Sequence, residues 1–216
     1  MAERGMPRMG TIGISILSDA TGAFALPAAT QLTKVAHELG YQTLVKITED
    51  DKFSVLISIQ ALIEARVDAI IMTPCSFGNG AGLRQFQRYS PNPLVLIDRY
   101  LEGFEVSSVV SHDRVGAGDA VRHAFELGHR QFAFFVSVAG LESVVNYRSD
   151  CGCSTTNERV AGFVDGLESV GLIPKEQMWS FSPTDPILLR EASRTLIEED
   201  RKSTRLNSSH SSVSRM

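Results

Sequence analysis

The sequence predicts an α/β fold with doubly wound parallel sheets, and three observations predict it. Strand-like and helix-like segments alternate almost without exception from residue 11 to residue 199, the order of a parallel sheet covered by helices on both faces. The strand-like segments are short apolar runs such as TIGISIL at 11–17, suited to strands buried on both faces. The span VSSVVSHDRVGAGDAVRHAFELGHRQFAFF, Val106 to Phe135, reads as strand, polar turn, helix, Gly-His-Arg stop and second strand. A βαβ unit of that length joins parallel strands through a crossover helix.

Each element has its own justification. After the first strand, the loop from Ser18 to Ala23 leads to a helix with Pro27 in its first turn, where the missing N–H costs little. Its expected apolar face is Leu26, Ala29, Leu32, Ala36 and Leu39, and Gly40 stops it. Tyr41 to Thr48 is the second strand, and Thr48-Glu49-Asp50-Asp51 the turn after it. A helix from about Lys52 to Ala65 carries Val55, Leu56, Ile59, Leu62 and Ile63 at helical spacing. Val67 to Met72 is the third strand, ended by Thr73-Pro74. A short helix near Ala81–Tyr89 leads to the fourth strand, Pro93 to Asp98. Beyond the crossover, Gln131 to Ser137 opens a second sheet. A helix over Thr155–Val170, an extended segment at Met178–Ser182 and a helix over Pro186–Glu199 continue it.

Composition narrows the class. A chain of 216 residues, 43% hydrophobic and 21% charged, is long enough for a full core and has ordinary globular proportions. No run approaches the roughly 20 apolar residues that span a bilayer, and no signal peptide is visible before the first strand. Cys75, Cys151 and Cys153 are an odd set with one Cys-Gly-Cys pair, a poor disulfide framework that fits a reducing cytoplasm. Residues 201–216, RKSTRLNSSHSSVSRM, have no apolar period, are rich in Ser and carry four basic and no acidic residues. The string resembles the conceptual translation of a sequencing adapter, and a non-native tail is expected; a disordered basic tail is the alternative. Without it the formal charge goes from −4 to −8, too acidic a core to hold nucleic acid on its own surface.

Ligands of doubly wound folds lie outside the carboxyl ends of the strands. Here those ends are Ser18-Asp19, Thr73-Pro74, Asp98-Arg99, His112-Asp113 and the Ser137–Gly140 turn, and no enzyme constellation stands among them. Gly78 to Gly82 lacks the G-x-G-x-x-G spacing, and no Walker loop, G-x-S-x-G elbow or H-E-x-x-H occurs. Gly116-Ala117-Gly118 opens a helix whose N-terminus could take an anion, a weak signal by itself. His37, His112, His123 and His129 offer no i, i+4 pair for a metal. No catalytic residue, metal or cofactor is expected.

Several of these segments together resemble the lactose-repressor (LacI) family. The crossover carries His112-Asp113, Gly116-Ala117 and Leu127-Gly128-His129-Arg130 in the family's order; Leu96-Ile97-Asp98-Arg99 is similar to its strand end; Ser154 to Phe163, with Arg159 and Gly162-Phe163, is similar to its Ser-x-x-x-x-Arg-x-x-Gly-Phe helix start. The resemblance covers about residues 10 to 200. It implies a two-lobed periplasmic-binding-protein-like fold whose second lobe is incomplete. Residues 1–10 would be the remnant of a linker, 11–113 the N-terminal lobe, 114–200 part of the C-terminal lobe and 201–216 the non-native tail. A small-molecule effector, a sugar or similar polar metabolite, would bind between the lobes. Its implied contacts are Asp19, Thr21 and Phe24 in the first loop, Asp98 as a ligand carboxylate, Arg159 as a fork for paired oxygens, and Phe181, or Trp179 in its place, as an aromatic wall. Gly22-Ala23 stands where the family more often has Asn-Pro, and Val138 to Cys153 forms a longer insert than the family's Gly-Gly-Pro loop.

The function so implied is the effector-sensing core of a cytoplasmic transcriptional regulator, a homodimer in its full-length form. Operator DNA would be met only through an N-terminal helix-turn-helix missing from this segment, with no membrane partner. The segment alone is expected to bind effector poorly and DNA not at all. Two other classes compete: an extracytoplasmic sugar-binding protein of a transporter or chemoreceptor, which shares the fold, and a nucleotide-dependent enzyme on a doubly wound sheet.

Overall fold

A computed structural model describes residues 10–18, 24–75, 83–84, 92–137 and 154–182, together with 190, 194 and 198. The chain divides into two compact units, Met1–Ser111 with Gly152–Thr155, and His112–Cys151 with Thr156–Met216.

The first unit is a five-stranded sheet with strands β1 (Thr11–Leu17), β2 (Gln42–Thr48), β3 (Ala69–Met72), β4 (Leu94–Ile97) and β5 (Ser107–Val109), in the order β2-β1-β3-β4-β5. Every pairing is parallel, and β1 is flanked on both sides, with Ile14 level with Val45 of β2 and Ile71 of β3. Helices α1 (Ala25–Glu38) and α2 (Lys52–Glu64) cover opposite faces. Ile14 and Ile16 pack with Ala25 and Ala29 of α1. Leu17, Ile70, Met72 and Leu96 pack with Val55, Ile59 and Leu62 of α2. On the α2 side of β1, Gly13 leaves room for the Leu62 and Val67 side chains, and the buried Ser15 and Ser58 hydroxyls bond each other at 2.9 Å. A fully buried Ile contributes about 1.5–3 kcal/mol, so the centre of the sheet is where this unit is anchored.

The helices begin and end where local chemistry permits. Asp51 caps α2, its carboxylate accepting the Phe53 and Ser54 N–H groups at 2.8 and 3.0 Å. Hydrogen bonds from Ser54, first its hydroxyl and then its N–H, hold the Asp51 carboxyl below its ordinary value. One expectation for α1 is corrected: Leu26 and Leu39 are 56% and 70% exposed. The face that packs is Ala25, Ala29, Leu32 and Ala36. Leu26 lies one residue, about 100°, off that stripe, and Leu39 stands at the C-cap, just before Gly40 turns the chain at φ +83°.

In the second unit, β6 (Ala133–Ser137) and β7 (Met178–Ser182) pair in parallel. Two helices accompany them, α3 (Asp113–Glu126) and α4 (Ser154–Ser169), of which Ser154 and Thr155 count with the first unit. Val121 of α3 and Phe163 and Leu167 of α4 form the core. The Phe163 ring lies 4.8 Å from that of Phe134 and meets Phe132 edge-on at 6.4 Å, separations typical of favourable aromatic pairs. Helical residues stand at 83–84 and at 190, 194 and 198; the rest of the helices expected at 81–89 and 186–199, the 138–153 insert, and the 1–9 and 201–216 ends lie outside the described residues. No helix among the described residues is long and apolar enough to cross a membrane.

Candidate ligand-binding site

Parallel strands all point their carboxyl ends the same way, so the loops that follow them converge on one edge of the sheet. On the α1 side of the first unit, reaching the ends of β4 and β5, lies a groove of about 510 Å³. One wall is α1, through Phe24, Ala28, Gln31, Leu32 and Val35; the other is the ends of β4 and β5, through Ile97, Asp98, Val109, Val110 and Ser111. Two of the six expected contacts, Phe24 and Asp98, thus meet in one groove. The lining residues are apolar except for Gln31, Asp98 and Ser111. An apolar wall beside a few fixed polar groups suits a polyhydroxylated molecule with C–H faces.

The Asp98 backbone is unusual. Its φ is +68°, a region that residues other than glycine seldom enter and that Asn and Asp tolerate best. The Arg99 N–H donates to the Ile97 carbonyl at 2.8 Å, which closes a three-residue turn on Asp98. With positive φ this is the rare, strained form of that turn. The Asp98 N–H donates to the Val109 carbonyl of β5 at 3.0 Å.

Beside it, the Arg99 guanidinium donates from Nη1 to Asp50 Oδ2 at 3.0 Å and to the Pro74 carbonyl at 3.5 Å, and its Nε lies 3.6 Å from Asp98 Oδ2. Arg99 and Asp50 are only 20% and 22% exposed, so solvent screens the pair less than it would a surface pair. Burial, then the Asp50 charge, pushes the neighbouring Cys75 thiol up, so it stays protonated near neutral pH. The Thr73 hydroxyl, at the end of β3, is 2% exposed and has no hydrogen-bond partner among the described residues.

In the second unit Arg159 follows the first turn of α4, and its Nε donates to Asp113 Oδ1 at 2.7 Å. Asp113 is nearly buried and Arg159 half exposed. Asp113 opens α3, where the helix dipole favours a negative charge. One of the five guanidinium N–H donors is therefore engaged within this unit. The backbone of Phe181 lies in β7 opposite Val136; its side chain, like Asp19 and Thr21, lies outside the described residues, and of Trp179 only the strand position is described.

Sequence reasoning missed the Val109-Val110-Ser111 wall and the Gln31, Leu32 and Val35 side of α1. The signal for the wall was present, since these residues end β5 and strand ends are where ligands sit. Nothing in the sequence marked Leu32 as other than core, and Val35 lay outside the expected apolar face of α1.

Comparison with known proteins bears on this geometry. Residues 11–197 match the family model described as periplasmic binding proteins and sugar binding domain of LacI family. Among curated relatives, the HTH-type transcriptional regulator GalR of Escherichia coli is 24% identical over 175 residues, 81% of this chain and 47% of its own length. The ribose import binding protein RbsB of Bacillus subtilis is 26% identical over 183 residues, 84% of this chain and 56% of its own length. The chain therefore spans about half the length of the curated relatives it matches. Among solved structures, the Cra transcriptional dual regulator of Pseudomonas putida in complex with fructose 1-phosphate is similar at a TM-score of 0.70 and 22% identity, covering 88% of this chain and 64% of that one. The Escherichia coli transcriptional repressor ascG is similar at 0.65 and 22%, covering 88% and 65%. At these identities the structures establish the fold.

Proposed function

We propose a function that proceeds from one settled premise: the chain belongs to the family of periplasmic binding proteins and sugar-binding domains of LacI-type regulators, whose model it matches from residue 11 to residue 197. On that premise the chain is the effector-sensing core of a LacI-type transcriptional regulator. It binds a sugar or similar small polar metabolite and does not transform it; the bound state sets operator affinity in the whole protein. The observation that carries this is the groove between α1 and the ends of β4 and β5, which Phe24 and Asp98 both line. An aromatic ring takes a sugar's C–H face and a carboxylate accepts from its hydroxyls.

The finer parts of the reading follow the same lineage. Asp19, Thr21, Arg159 and Phe181 complete the effector contacts, with Arg159 shared between ligand oxygens and Asp113. Residues 11–113 and 114–200 are the two lobes, 1–10 a linker and 201–216 a non-native tail. The whole protein is a cytoplasmic homodimer that meets operator DNA through a helix-turn-helix. Regulation then works by population shift: effector binds one arrangement of the core better than another, and the headpieces read the difference.

The test is a calorimetric titration of the chain with D-galactose, D-ribose and D-fructose 1-phosphate, repeated on Asp98→Ala. Weak but saturable binding of at least one is expected of this segment, with affinity about ten- to a hundredfold weaker in the variant, the loss of hydrogen bonds to a charged group. A folded chain that binds none of the three even at high sugar concentration overturns the sugar reading. The match to RbsB favours a second reading, a receptor for sugar import. The coding sequence upstream separates the two: a helix-turn-helix there supports the regulator, a signal peptide the receptor.

A further inference from the structure

We propose that Arg99 is a positioning residue, a strut that braces the strained turn holding the Asp98 carboxylate at the groove. The inference rests on the reading of that groove as the effector site. Asp98 sits at φ +68° in a turn closed by the Arg99 N–H and the Ile97 carbonyl. Strained backbone of this kind persists only where its surroundings hold it from several sides. On one side the hold is the bond from the Asp98 N–H to the Val109 carbonyl at 3.0 Å. On the other it is the Arg99 side chain, which reaches the Asp50 carboxylate at 3.0 Å and the Pro74 carbonyl at 3.5 Å.

These anchors follow β2 and β3, while Arg99 itself follows β4. One guanidinium therefore ties together the chain beyond three strand ends. A planar fork with several donors can do this, whereas a single point charge holds fewer partners at once. Because Arg99 is the residue after Asp98, fixing its side chain fixes the exit of the turn. Released, the turn relaxes toward negative φ, and the Asp98 side chain leaves its place in the lining of the groove. Arg99 thus acts on the ligand through Asp98, and Asp50 acts through Arg99.

The experiment is a set of thermal melts of the full chain in which Arg99→Ala is made in three backgrounds: the native residue at 98, Asp98→Gly and Asp98→Asn. Glycine adopts positive φ without a brace, while asparagine needs the same turn as aspartate but carries no charge. Arg99→Ala is expected to lower the melting temperature by roughly 2–4 °C with Asp98 in place, by nearly as much in the Asp98→Asn background, and by less than half as much in the Asp98→Gly background. Equal losses in all three backgrounds overturn the strut. So does a loss that disappears with asparagine as it does with glycine, since that is the behaviour of a plain Asp98–Arg99 ion pair. If Arg99→Ala does not fold, Asp50→Asn runs through the same three backgrounds with the same expectations.

A second readout separates positioning from mere stability. For whichever of the three sugars binds, Arg99→Ala weakens affinity about tenfold at a temperature well below melting, one bond to a charged group, and Arg99→Lys, which keeps the charge but not the fork, recovers only part of the loss. Unchanged affinity in Arg99→Ala, or full recovery by lysine, overturns the proposal. The melts need no sugar: a chain that binds none of the three strikes the effector reading and leaves the strut to be decided by the melts, and a sugar-binding chain without the background dependence strikes the strut alone.

Discussion

Arg66 follows the C-cap of α2 at φ +56°, a conformation that α1, α3 and α4 give to glycine: Gly40, Gly128 and Gly171 respectively. All four ends share one hydrogen-bond pattern. At α2 the Arg66 N–H reaches the Ile63 carbonyl and the Val67 N–H the Leu62 carbonyl, the Schellman arrangement, with buried Val67 supplying its apolar contact. An L side chain in the left-handed region costs roughly 1–2 kcal/mol, part of which glycine returns through its freer unfolded chain. Arg66→Gly should therefore stabilise the protein by about 0.5–1 kcal/mol in urea denaturation; a destabilised variant would show that the Arg66 side chain holds the turn. Gly40 and Gly128 were legible as helix stops because glycine advertises left-handed backbone. Arg66 and Asp98 were not, because neither residue type carries that mark. Asp98 was found instead through its place at a strand end and through the Leu-Ile-Asp-Arg resemblance, while the turn that aims it was invisible.

At the scale of elements, α3 and α4 meet backbone to backbone. A Cβ added at Gly162 would stand 2.0 Å from the Arg114 carbonyl oxygen, and one at Gly166 would stand 3.0 Å from the Gly118 Cα. The clash at Gly162 is with a helix backbone, which has no rotamer to yield. Gly162→Ala should cost at least about 1–3 kcal/mol, the range for overpacking a close-packed site, measured by equilibrium urea unfolding; a change within experimental error would mean that the helices separate freely. Sequence reading had these residues in other roles. Gly118 was part of a possible anion-binding turn, and Gly162 was one letter of a family pattern around Arg159. Their spacing is visible in the sequence, but which helix lies across them depends on tertiary packing. The strands were legible to within about two residues; apolar runs record burial on two faces in the central β1, whereas β2 and β5 at the sheet's edges are mostly exposed. The face of α1 was displaced because Leu26 is apolar yet exposed, and periodicity treats both kinds of leucine alike.

For the whole molecule, the two sheets and their separate cores imply separate local stabilities. The five-stranded sheet is anchored by Ile14, Met72 and Leu96, none more than 1% exposed, while the second unit rests on Val121, Phe163 and Leu167 beside the β6–β7 pair. The alternation of strand and helix announced both sheets; how firmly each holds together is a matter of packing that composition does not record. Amide exchange reads such differences segment by segment, because each segment opens with its own free energy. Gly162→Ala supplies the lever, since its clash lies wholly within the second unit. Deuterium uptake measured by mass spectrometry should rise in peptides from α3, α4 and β6, and stay unchanged in those from β1, β3 and β4. The faster exchange would then belong to the unit that carries Arg159, and the groove that carries Asp98 would keep its rigidity. A rise of equal size in β1 would show instead that the chain opens as one cooperative body, so that a strain placed between α3 and α4 reaches the Asp98 turn as well.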